Sequence, residues 1–136
     1  YFLHFKDTAT GFRGRVWATT TGAAVGSFRL GISNTTAVFA AIPTDLTLGS
    51  SYQITLTLDV ASGGSTLAIA GIGSVAATDA ATFLPMSAVA LRQNSGMGTL
   101  TVDNLVVDAT AVAVPEVSTA MLGLMAGMGL ITRRRR

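Results

Sequence analysis

The chain has no cysteine, one histidine, one tryptophan and three prolines, and only 12% of its 136 residues are charged. Each shortage removes a class of chemistry. Without cysteine there is no disulfide framework, no thiolate metal site and no cysteine nucleophile, and His4 alone cannot form a polyhistidine metal site. Lys6 is the only lysine and Glu116 the only glutamate. The charged share is about half of the usual ~25%, while the hydrophobic share of 49% is ample for one core. A chain of this length accommodates one ordinary domain, and its sparse charge fits export or assembly better than a free cytosolic life.

The net charge of +2 misleads until it is placed along the chain. Four of the nine basic residues are Arg133, Arg134, Arg135 and Arg136, so residues 1–132 carry five basic against seven acidic groups. Nucleic-acid binding needs Lys and Arg clustered on one face, and this slightly acidic body does not provide the composition for it. No cofactor is implied.

From Phe12 to Val107 the apolar pattern has period two, the spacing of strands with one buried face. Tyr52, Ile54, Leu56, Leu58 and Val60 alternate with Gln53, Thr55, Thr57 and Asp59. Phe28, Leu30 and Ile32 alternate with Ser27, Arg29, Gly31 and Ser33 in the same way, and Phe12, Val16 and Ala18 with Arg13, Arg15 and Trp17. Turn-forming stretches at 7–11, 19–22, 61–65 and 93–98 separate these runs. The spacing predicts seven or eight strands over residues 1–108, no helix before Val114, and an all-β antiparallel sandwich. Tyr1–Phe5 already reads as a strand, so the chain is expected to begin inside a longer protein, with any secretory signal upstream. Leu100 and Val102 face one way, Leu105 and Val107 the other. A bulge at Asp103-Asn104 accounts for that slip, whereas a calcium ion there would need 6–8 oxygens and finds no second acidic cluster nearby.

Catalytic residues are not apparent. Glycoside hydrolysis needs two carboxyl groups about 5–5.5 Å or about 6.5–9.5 Å apart, and Asp7, Asp45, Asp59, Asp79, Asp103 and Asp108 include no D-x-D pair on one strand face. His4 has no local serine or acid partner, so no triad is indicated and the chain is read as a non-enzyme without a metal site. Binding has one clue: Trp17 shares its parity with Arg13 and Arg15, an arrangement in which an aromatic face stands beside guanidinium donors, as sugars require. The alternative is that the second sheet or upstream residues cover Trp17.

After Asp108 the composition changes. Residues 109–114 form a small-residue linker, followed by Pro115-Glu116-Val117-Ser118, an uncharged stretch from Thr119 to Thr132, and four arginines. Met121, Leu122, Leu124, Met125, Met128, Leu130 and Ile131 would surround a helix axis without leaving a polar stripe, as in a lipid-embedded helix. The fifteen residues from Val117 to Ile131 would rise roughly 22 Å against a hydrocarbon core of ~30 Å, which is short for a permanent span. A buried helix of the body is the competing reading. Position at the terminus, after a linker and a proline, favours an appended address, with the arginines held on the cytoplasmic side. Gly123 and Gly127 also make a GxxxG spacing, a weak signal for helix pairing.

Val114-Pro115-Glu116-Val117-Ser118-Thr119, the apolar stretch and Arg133–Arg136 resemble the PEP-CTERM sorting signal of Gram-negative bacteria. Pro115 and Glu116 match the first two positions of its Pro-Glu-Pro motif, and Val117 departs from the third. The resemblance covers about the last 23 residues of the chain. It implies an exported protein, transiently anchored in the inner membrane, processed by an exosortase-type membrane protease and delivered to the envelope or beyond. The upstream region is similar to the later part of concanavalin A-like lectin/glucanase jelly rolls, through Phe2–Asp7, Tyr52–Val60 and Ala90–Asp108. That likeness implies a structural or glycan-binding sandwich, with exopolysaccharide or another glycan as partner. The competing function is a fragment of a secreted glycoside hydrolase whose catalytic residues lie upstream of Tyr1. The paired glutamates of that fold have no counterpart here, since no Glu precedes Glu116.

Overall fold

The structure is a computed structural model that describes residues 1–9, 11–79, 81–82, 85–92 and 99–109. Nine strands and no helix occur among the described residues. They are β1 (Leu3–Asp7), β2 (Phe12–Thr19), β3 (Ser27–Ser33), β4 (Ala40–Ala41), β5 (Leu46–Thr47), β6 (Ile54–Asp59), β7 (Gly64–Ile69), β8 (Gly73–Ala76) and β9 (Met86–Leu91). Every pairing is antiparallel. The larger sheet runs β4-β3-β2-β1-β9, with β5 also pairing with β3, and the smaller runs β6-β7-β8. Residues Tyr1–Leu100 form one compact unit.

The two sheets face each other across a single apolar core, which makes the fold β-sandwich-like. Leu3, Val16, Leu30 and Ile32 from the larger sheet meet Leu67 and Ile69 from β7, with Phe2, Ile42 and Leu46 sealing the margins. The alternation does what a half-buried strand requires over β6, where Ile54, Leu56 and Leu58 are half-buried while Thr55, Thr57 and Asp59 are exposed; Val60, at the end of the expected run, lies past the strand and is exposed. The 61–64 segment closes the β6–β7 hairpin, with Asp59 opposite Gly64. The Asp59 carboxylate caps the turn, accepting the N–H groups of Ala61 at 2.9 Å and Ser62 at 3.2 Å.

A second polar assembly ties β3 to the β7 side of the sandwich. Asn34, at the end of β3, is fully buried, and its amide donates to the carbonyls of Gly63 and Asp79 and accepts from the Ser65 hydroxyl. The Asp79 carboxylate in turn accepts the N–H groups of Asn34 at 2.7 Å, Thr35 at 2.7 Å and Thr36 at 3.0 Å. Partial burial pushes the Asp79 carboxyl up, but those backbone donors more than reverse it and hold it at about 2.

Three expectations need correction. The alternation puts Phe12 with Val16 on the inner face, yet it is 38% exposed and lies on the opposite one. The cause is a bulge. Leu3 pairs with Val16 but Phe5 pairs with Arg13, so β2 carries one extra residue around Gly14, whose φ of 52° places it in the left-handed region. Leu58 of the smaller sheet fills the space over Gly14, where an added Cβ would lie 2.7 Å from its Cδ2. Second, Leu100–Val107 forms no strand. Asn104 adopts a φ of 53°, its N–H turns back to the Asp103 carboxylate at 2.8 Å, and Leu100, Val102, Leu105, Val106 and Val107 are all exposed. The left-handed residue breaks the extended backbone there. Third, the strand count exceeds the expectation, because β4 and β5 are two-residue pairings too short to show a period. Pro115, Glu116, the 117–131 apolar stretch and Arg133, Arg134, Arg135 and Arg136 lie outside the described residues, as does the turn expected at 93–98.

Candidate functional site

The bulge gathers one group of side chains on the outer face of the larger sheet. Because β2 changes phase at Gly14, Phe12 faces the same way as its partner Lys6, and Arg15 and Trp17 face the same way as Phe12. Inner-face residue Val16 lies between them and points into the core. Trp17 therefore turns away from the smaller sheet, and the smaller sheet does not cover it.

Rings pack around Trp17 in a continuous set. Phe39 stacks on it with centroids 5.4 Å apart and planes 11° apart, and Tyr1 meets it edge-on at 5.2 Å. Tyr1 also meets His4 at 5.2 Å and Phe12 at 6.3 Å, and His4 meets Phe12 at 4.7 Å. Each such pair stabilises by about 0.5–1.5 kcal/mol beyond burial. The Trp17 indole N–H donates to Ser33 Oγ at 2.7 Å, and that hydroxyl donates to the Thr36 carbonyl at 2.9 Å, so the ring is fixed in orientation. Gly31, opposite Trp17 in the ladder, leaves the room Phe39 needs: a Cβ there would lie 2.5 Å from the Phe39 ring and 2.6 Å from the Ala40 carbonyl oxygen.

Cations border the rings. The Arg15 guanidinium lies 5.4 Å from the Tyr1 ring and 5.7 Å from Phe12, Arg92 lies 5.2 Å from Tyr1, and the Lys6 ammonium is 6.0 Å from Phe12. Arg92 also donates to the Tyr1 hydroxyl at 2.9 Å. His4 is 4% exposed, and burial first, then the Arg15, Lys6 and Arg92 charges, hold its imidazole below the ordinary value. Two buried nitrogens in this group, His4 Nδ1 and Arg15 Nε, have no hydrogen-bond partner among the described residues.

Of the residues singled out in the sequence, Arg15 and Trp17 are brought together and Arg13 is not. Arg13 sits before the bulge, on the face opposite Phe12, and its Nη2 contacts Asp7 Oδ2 at 3.0 Å. That contact is an ion pair without an aligned hydrogen bond, and the Asp7 carboxylate is completely buried. Its other oxygen accepts the N–H groups of Ala9 at 3.0 Å and Gly11 at 2.7 Å. Tyr1, Phe12 and Phe39 were not among the candidate residues. Gly14 was the available signal for Phe12, since a glycine inside an alternating run marks a possible bulge.

The remaining carboxylates of this unit are structurally engaged. Asp45 accepts from the Ala24 N–H at 2.9 Å and pairs with Arg29 at 2.6 Å, Asp59 caps its hairpin and Asp79 holds the 34–36 loop. No cluster of three potential metal-ligating acids or histidines occurs among the described residues. The outer face thus offers stacking surfaces and guanidinium donors, the chemistry of recognition. No family model, curated protein or solved structure matches this chain.

Proposed function

We propose that this chain is an exported protein of the cell envelope or its exterior whose sandwich binds glycan on the outer face of the larger sheet. The observation that carries the reading is the array of half-buried Tyr1 and Trp17 and exposed Phe12, with Arg15 beside them. Pyranose rings present apolar C–H faces that stack on aromatic side chains, while their hydroxyls take hydrogen bonds from adjacent donors. The two antiparallel sheets are compatible with a jelly roll of the concanavalin A-like type, the finer form of the same reading. Export rests on the sequence of the C-terminal segment. There Pro115 and Glu116 act as the sorting motif, the 117–131 apolar stretch as a transient inner-membrane anchor, and Arg133–Arg136 as the stop-transfer cluster for an exosortase-type protease.

The binding half is tested by retention on immobilised polysaccharide. Trp17→Ala and the more exposed Phe12→Ser are both expected to abolish retention, and a folded Phe12→Ser protein retained like the parent chain refutes the site. The sorting half is tested by mass spectrometry of the mature C-terminus. Loss of residues after roughly Val117 is expected only in hosts carrying an exosortase. An intact Arg136 on exported, soluble protein in such a host refutes it.

A further inference from the structure

The distribution of charge on the sandwich points to the kind of glycan. Its described basic side chains are Lys6, Arg13, Arg15, Arg29 and Arg92. Arg13 is matched by Asp7 and Arg29 by Asp45, whereas Lys6, Arg15 and Arg92 meet no carboxylate among the described residues. Those three are also the cations that ring Tyr1 and Phe12. The acids of the same unit are all committed elsewhere, to Arg13, to Arg29, to the β6–β7 turn and to the 34–36 loop. Neutral sugar needs donors but not net charge, and three like charges held around the rings each raise the cost of the next unless an anion offsets them.

Resting on the glycan-binding reading, we infer that the outer face takes an acidic polysaccharide. Its uronate carboxylates lie against Arg15 and Arg92, and its sugar faces lie on Tyr1 and Phe12. A guanidinium presents two parallel N–H groups that match a carboxylate, and such charge-assisted pairs are stronger than neutral hydrogen bonds. Stacking fixes the sugar plane, while the ion pairs select for charge. Single-stranded nucleic acid is the other polymer that combines stacking with negative charge, but it calls for a basic groove that tracks the phosphates. Three cations, one of them the only lysine, do not make such a groove.

The experiment measures affinity of the full chain for polygalacturonate, for the same polymer after carboxyl reduction, and for an oligothymidylate. Polygalacturonate is expected to bind at least about tenfold more tightly than the reduced polymer, and to weaken steadily as salt screens the ion pairs. Arg15→Gln and Arg92→Gln should each remove most of that preference, while Arg29→Gln, whose residue is paired with Asp45 away from the rings, should keep it. Equal binding to both polymers overturns the acidic assignment and leaves the glycan reading standing. Binding to neither polymer overturns both, and tighter binding to oligothymidylate replaces glycan by single-stranded nucleic acid. If Arg15→Gln fails to fold, Arg92→Gln and the salt titration decide: a preference that Arg92→Gln leaves intact, or that salt does not diminish, overturns the inference.

Discussion

Asp79→Asn is the most informative single perturbation of the fold. The wild-type carboxylate accepts three consecutive backbone N–H groups, from Asn34, Thr35 and Thr36. Its asparagine replacement removes the charge and turns an NH2 group toward at least one of those donors. The carboxyl sits at about 2 instead of the ordinary 3.8. At ~1.36 kcal/mol per pH unit that difference corresponds to about 2 kcal/mol, and because the group is partly open to water about 1–2 kcal/mol is the expected loss. For a unit of about 100 residues, each kcal/mol lowers Tm by about 4–8 °C. The folded-state value lies below the unfolded one, so the stabilisation is complete above the ordinary carboxyl range and is lost as pH falls through it toward about 2. Asp45 and Asp59 are lowered too, by the Ala24 N–H with Arg29 and by Ser62 with Ala61 respectively, and they contribute to the same acid window in both proteins. Urea melts of wild type and Asp79→Asn at neutral pH and across the acid range should therefore converge as pH falls. Parallel curves, or a variant as stable as wild type at neutral pH, refute the role given to the three N–H groups.

Arg13→Met should cost about 3–5 kcal/mol, because it strands the buried Asp7 carboxylate, while Asp7→Asn/Arg13→Met together should cost less than the sum of the single changes; a denaturant-monitored double-mutant cycle measures this. Gly31→Ala should expel Phe39 from its stack on Trp17, and since Trp17 is the only tryptophan, its fluorescence reports the change directly. Leu67→Ala, at a fully buried position between the sheets, should cost about 2–5 kcal/mol in urea denaturation without shifting far-UV circular dichroism.

Local rules made some of this legible and left the rest hidden. The period-two runs at 28–32 and 54–58 place their apolar side chains inward because nothing interrupts the pleat. The run from Phe12 failed at one residue, because Gly14 inserts a bulge and reverses the face of everything before it. Arg13 was consequently assigned to the Trp17 face and Phe12 to the core, each the reverse of its true place. The Asn34–Asp79 contacts join residues 45 apart, and neither a threonine-rich turn nor an isolated aspartate announces a partner at that distance. Phe39 lies in no strand, so no periodicity could bring it to Trp17. Leu100–Val107 shows the converse: strand-like composition does not hold an extended backbone through a left-handed residue such as Asn104.

The placement of β1 between β2 and β9 has a consequence for how the protein is made. One edge of β1 is satisfied early, by β2 a few residues later, but its other edge waits for Met86–Leu91. At a synthesis rate of about 5–20 residues per second, the interval is several seconds at least, during which the nascent sheet offers an open row of backbone donors and acceptors. Closure then comes late and from a distance, when the Ser87 hydroxyl reaches across to the carbonyls of Lys6 and Asp7 and β9 is laid against β1.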